Sequence, residues 1–299
     1  MKKILYGIMY SFKEIKNSKI FYSFLIFALI LISGSYFVSQ TSFINQGRIM
    51  VDFSIFAISI FNIFIGIFIG ASAVYDDIEK KSIFLSITRP LKRTEYLIGR
   101  FLGLAAAIIF STIIMMLIFY LVLLLMHKFI VPASPLAIAK AAGSGAKPAG
   151  VFSAPFTFYL MPQPLIIQGL FIIIESIFIS AAALLFSLIT SKALASVFAI
   201  LVFFIGNVSS RMNDLVKPVK KIINGKVVIV HQANRVLAHT VRFIYTVLPN
   251  FSIFNISSEA AYKINISSGV IFYRIIYGIC YTALLFIISS LIFRRKDIG

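Results

Sequence analysis

Six runs of apolar residues dominate this sequence: Ile20–Val38, Phe53–Val74, Phe101–Met126, Leu165–Ile189, Leu194–Val208 and Val270–Phe293. A bilayer core is about 30 Å thick, so a spanning helix needs roughly 20 apolar residues. Inside hydrocarbon every backbone N–H and C=O must be satisfied within the protein, and for apolar runs of this length a helix does so within its own segment. The expected fold is therefore an all-α polytopic integral membrane protein, a single transmembrane domain over 1–299. Its six transmembrane helices are 20–38, 53–74, 101–126, 165–189, 194–208 and 270–293. The fifth run is the shortest and follows the fourth after the polar break Thr190-Ser191-Lys192.

Composition excludes the common alternatives. The chain is 60% hydrophobic and 13% charged, whereas soluble domains average about 45–50% and about 25%. The net charge of +18 fits anionic lipid head groups rather than nucleic acid, because juxtamembrane Lys and Arg bind such surfaces. A lone cysteine, Cys280, excludes a disulfide framework and reads as a small apolar filler.

Residues 1–19 read as an amphipathic interfacial helix. Leu5, Ile8, Phe12 and Ile15 recur at helical spacing, with Lys2, Lys3, Lys13, Glu14 and Lys16 elsewhere around it. A cleaved signal peptide is not expected, since 19 residues precede the first run. Cations cluster in this segment, in the loop 75–100 and at Arg294-Arg295-Lys296. The positive-inside rule then puts both termini and that loop in the cytoplasm. Loops 127–164 and 209–269 fall outside, although the second carries many cations. Pro132 to Pro155 reads as flexible, rich in Ala, Gly, Ser and Pro. Lys226 to Val230 reads as a short strand after the Asn224-Gly225 turn, and Asn234 to Val247 as a helix stopped by Pro249.

Catalytic signatures are missing. The sequence has no Gly-rich phosphate loop ending in Lys-Ser or Lys-Thr, so ATP hydrolysis by that mechanism is excluded. His127, His231 and His239 lie in expected outer loops at a poor metal spacing, and there is no His-Glu-x-x-His motif or Gly-x-Ser-x-Gly elbow. No enzyme, resident cofactor or metal is expected.

Three features carry functional readings. Glu175 lies mid-span, with Gln168 seven residues earlier on the same helical face. Such a carboxylate suits a substrate or proton site, but interhelical hydrogen bonding is the more frequent use. Gly66 and Gly70 form a GxxxG step, suited to packing within the chain or to a subunit interface. The stretch Asp76 to Gly103 is the most informative. Its acids come first, suiting a helix N-terminus. Ile83, Phe84 and Ile87 make an apolar face, and Pro90 ends the helix. This suits either an interfacial helix or a docking helix for a soluble partner.

That stretch resembles the permease subunits of ABC-2 type ABC transporters, most closely the group named for multicopper-enzyme maturation. Glu79, Lys81, Arg89-Pro90, Arg93 and Gly99-Arg100 fall in step with the family's loop, with Ser82 where Thr is usual and Arg100 where Lys is usual. Leu248-Pro249-Asn250 and the ending Phe293-Arg294-Arg295-Lys296-Asp297 resemble two further family motifs, in the right order. The resemblance implies a permease subunit that pairs with a second copy and with two separate ATPase subunits, which bind ATP and Mg. It favours export across a bacterial inner membrane. It also implies that Asp76, Asp77, Glu79, Lys81, Phe84, Ile87, Arg89, Pro90 and Arg93 form the ATPase-coupling segment. The other reading is an ion-coupled secondary transporter or channel using Glu175.

Overall fold

The computed structural model describes residues 2–39, 46–79, 93–130, 163–216, 219–223, 226–231, 249–257 and 266–295. The expected segments 132–155 and 234–247 lie outside them, as do Lys81, Phe84, Ile87, Arg89 and Pro90.

Seven helices appear among the described residues: α1 Lys2–Lys16, α2 Lys19–Ser39, α3 Gln46–Glu79, α4 Arg93–Ile130, α5 Gln163–Ile189, α6 Lys192–Val216 and α7 Ser268–Arg295. Five of them, α2, α3, α4, α5 and α7, are long and apolar enough to cross a membrane. The apolar part of α6 is the shorter Lys192–Val208. A small antiparallel hairpin, β1 Val219–Ile223 with β2 Lys226–His231, follows α6, its register pairing Ile223 with Lys226.

The most buried helices, α3 and α5, form the centre, and α7 is the most exposed of the five. Close approach of α3 and α5 depends on Gly66 and Gly70. A Cβ on Gly66 would lie 2.9 Å from the Ser176 carbonyl oxygen, and one on Gly70 3.0 Å from that of Ser180. The GxxxG step therefore packs within this chain, where missing side chains let two backbones meet. Between α3 and α4 a buried polar node adds direction: Ser111 Oγ donates to Asn62 Oδ1 at 2.5 Å, and Asn62 Nδ2 donates to the Ile58 carbonyl.

Two placements differ from the sequence reading. First, α1 is packed against protein, along α4. Gly7 and Gly99 bring the backbones of α1 and α4 together, a Cβ on Gly103 would meet Ser11 Cβ at 2.5 Å, and Phe12 meets Phe110 edge-on. Leu5, Tyr6, Met9 and Tyr10 remain exposed on the other side. Second, α3 continues through Glu79 and α4 begins at Arg93. Asp76 and Asp77 thus occupy the last turn of α3 rather than the start of a separate helix. Acids there oppose the helix dipole, and cations from other helices offset this.

Candidate functional site

The chain ends of segment 80–92 leave α3 and enter α4 at one end of the bundle. That end also carries α1 and Arg294-Arg295 of α7. Four helices converge there on a cluster of charges. Arg100 of α4 has a side chain only 8% exposed. One of its guanidinium nitrogens donates to Asp77 of α3 and the other to Glu14 of α1. Its Nε donates to the Tyr96 hydroxyl at 3.2 Å, and that hydroxyl in turn donates to Asp77. Tyr96 and Arg100 are one turn apart, so both face α3 from a single stripe of α4. Phe293, near the end of α7, stacks on Tyr96 with ring centroids 6.2 Å apart.

A second ion pair extends the cluster. Lys192 Nζ, at the start of α6, donates to both carboxylate oxygens of Asp76, at 3.1 and 3.0 Å. This pair is half exposed and contributes little by itself. The Arg100–Asp77 pair is buried, and a buried pair is costly to break because the remaining charge has no partner. A cavity of about 330 Å³ opens beside it, its wall part charged, with Glu14, Asp76, Asp77 and Arg100, and part apolar, with Ile15 and Ile69.

A second set of polar groups lies between α5, α6 and α7. Here residues 249–257 enter the bundle as a re-entrant segment containing the 3-10 helix Phe251–Phe254. Phe251 packs edge-on against Phe178 at 4.9 Å between centroids, fifteen residues along α5 from Gln163. Non-helical backbone at such depth is tolerated only where protein satisfies it. Side chains do so here. Asn250 N–H donates to the Tyr277 hydroxyl at 2.8 Å, Ser252 N–H to Asn250 Oδ1 at 3.1 Å, and Ile256 N–H to Gln168 Oε1 at 2.9 Å. Gly206 of α6 leaves the room required, since a Cβ there would lie 2.2 Å from Phe251 Cδ2.

Glu175 is buried and has a different partner, the Asn207 side chain of α6. Gln168 and Glu175 share a face of α5, yet they do not form one site. Gln168 holds the re-entrant segment and Glu175 meets α6.

A family model described as ABC-2 family transporter protein matches residues 7–298. The chain belongs to the ABC-2 family of transporter permeases. A search of curated proteins finds no match to it. As a permease it is a transport subunit and not an enzyme, and family members work with an ATPase partner. Among the described residues no group of three or more His, Cys, Asp or Glu could hold a metal.

In this permease the structure brings Asp76 and Asp77 together with groups that sequence reasoning had not assigned to the site: Glu14, Tyr96, Arg100 and Lys192. A usable signal was the Tyr96/Arg100 spacing of four, which puts an aromatic hydroxyl and a cation on one helical face. Glu79 is the last residue of α3 and is exposed, and Arg93 is the first of α4.

Proposed function

We propose that this permease is the membrane half of an ATP-driven exporter in a bacterial inner membrane. In this reading two copies pair with two ATPase subunits. The ATPases bind at the end carrying α1, segment 80–92 and the C-terminus, which is the cytoplasmic side. All six apolar runs span; the apolar part of α6 is the shortest, and the re-entrant segment packs against it at Gly206. The motif order supports placing the chain in the group named for multicopper-enzyme maturation.

The observation that carries this reading is the Asp77–Tyr96–Arg100 cluster. It ties the two chain ends of segment 80–92 to each other, and Glu14 and Lys192 tie them to α1 and α6. Force applied by an ATPase to Glu79, Phe84 or Arg89 would then move α1, α3, α4 and α6 as a unit, because buried charge pairs resist separation. Glu175, held by Asn207, serves as an interhelical tie. The family match favours ATP-driven transport over ion coupling through that carboxylate.

The test is co-expression with the ABC ATPase of the same genome, followed by ATP hydrolysis in lipid nanodiscs. A stable complex whose hydrolysis falls on Glu79→Arg or Phe84→Arg, with insertion unchanged, is expected. Wild-type hydrolysis in both variants would refute the coupling role of the segment.

A further inference from the structure

One further cation lies outside the charge cluster around Arg100. Arg274 lies in α7, twenty residues before Arg294. At 1.5 Å per residue that separation is about 30 Å, the thickness of the hydrocarbon core. With Arg294 at one head-group level, Arg274 stands at the other. Its guanidinium lies 5.7 Å from the centre of the Phe171 ring, and its Nη1 is buried without a hydrogen-bond partner among the described residues. A buried guanidinium nitrogen without an acceptor is costly and calls for an anion.

One turn further along α7, from Gly278 on, an apolar groove of about 300 Å³ runs between α4, α5 and α7. Gly278 and Thr282, four and eight residues after Arg274 and on the same face of α7, line it together with Ile174, Ile177, Leu102 and Phe286. From Arg274 to Phe286 is twelve residues, about 18 Å along the helix, which is close to the length of an acyl chain. Ile279, on the groove wall, is 58% exposed.

We propose that Arg274 and this groove form a binding site for one anionic phospholipid, its phosphate on the guanidinium and an acyl chain in the groove. Charge complementarity selects the occupant: the cation is at head-group level, and everything beneath it is apolar. The site adjoins the re-entrant segment, because Phe254 contacts both Phe171 and the position a Gly278 Cβ would take. The inference does not depend on the coupling role of segment 80–92.

The sequence has no tryptophan, so Ile279→Trp gives a single reporter in the groove. The protein is reconstituted in phosphatidylcholine vesicles with increasing amounts of phosphatidylglycerol or phosphatidylcholine brominated at mid-chain. One Arg contact predicts half-maximal quenching at an about fivefold lower mole fraction of the anionic lipid. Arg274→Gln abolishes that preference and Arg274→Lys keeps most of it. Equal quenching by the two lipids with Arg274 intact would overturn the site in favour of simple exposure to bulk lipid. Absence of quenching by either would overturn it in favour of a protein cover, such as a second copy of the chain. Neither of these two outcomes requires the Arg274 variants to fold.

Discussion

Gln168 of α5 accepts the backbone N–H of Ile256 at 2.9 Å, across 88 residues of sequence. This bond closes one end of the re-entrant segment, and the Asn250–Tyr277 bond closes the other. Replacing Gln168 by Leu leaves a buried N–H unsatisfied, at about 1–3 kcal/mol. The expected result is a lower melting temperature in detergent for Gln168→Leu, with Gln168→Glu nearer to wild type because it retains an acceptor. Equal melting temperatures for all three proteins would show that the bond is dispensable.

Gly206 gives the sharpest steric prediction. Any larger residue displaces Phe251, whose ring already occupies the Cβ position. In a Cys280→Ala background, a cysteine at Ser252 is expected to resist water-soluble maleimide. Adding Gly206→Val should expose it. Unchanged labelling would mean that the segment shifts without leaving the bundle.

Arg100 serves three partners on three helices, Glu14, Asp77 and Tyr96. Arg100→Met strands the buried Asp77 carboxylate, and the expected destabilisation is about 3–5 kcal/mol. The double variant Arg100→Met with Asp77→Leu should recover part of this loss, since the only carboxylate then left without its cation is the half-exposed Glu14. Additive losses in a thermal double-mutant cycle would argue against a coupled pair.

For Gly66 and Gly70 the distances to the Ser176 and Ser180 carbonyl oxygens place the cost inside the subunit. Gly70→Val is expected to lower the thermal stability of the purified protein while its oligomeric mass is unchanged, as read by light scattering. Dissociation into folded single subunits would reassign this stripe to a subunit interface.

Glu175→Gln keeps a hydrogen-bonding group for Asn207. Transport and ATPase stimulation near wild-type levels are expected, whereas Glu175→Leu loses the tie and melts earlier. If Glu175→Gln folds normally but does not transport, the carboxylate has a chemical role.

Length and apolar content pointed to the five long apolar helices, because a helix satisfies its backbone polar groups within its own segment. The basic end was legible too, since Lys and Arg gather where α1, segment 80–92 and the C-terminus lie. Gly66 and Gly70 could be read as a close-packing stripe, though not which helix they meet. The Leu248-Pro249-Asn250 motif was visible as a string of residues. The insertion of residues 249–257 between α5, α6 and α7 was not, because a polar, proline-containing segment reads as a surface loop.

What the sequence by itself determined is a helical membrane domain with its charges at one end and no phosphate loop of its own, consequences of local composition and spacing. The tertiary structure decided the partners. It paired Asp77 with Arg100, Asp76 with Lys192, Gln168 with Ile256 and Glu175 with Asn207, each between two different elements of the bundle. The physical reason is that a buried polar group is satisfied by whatever packing brings within about 3 Å, and periodicity reveals the face a residue occupies but not the helix that will cover it.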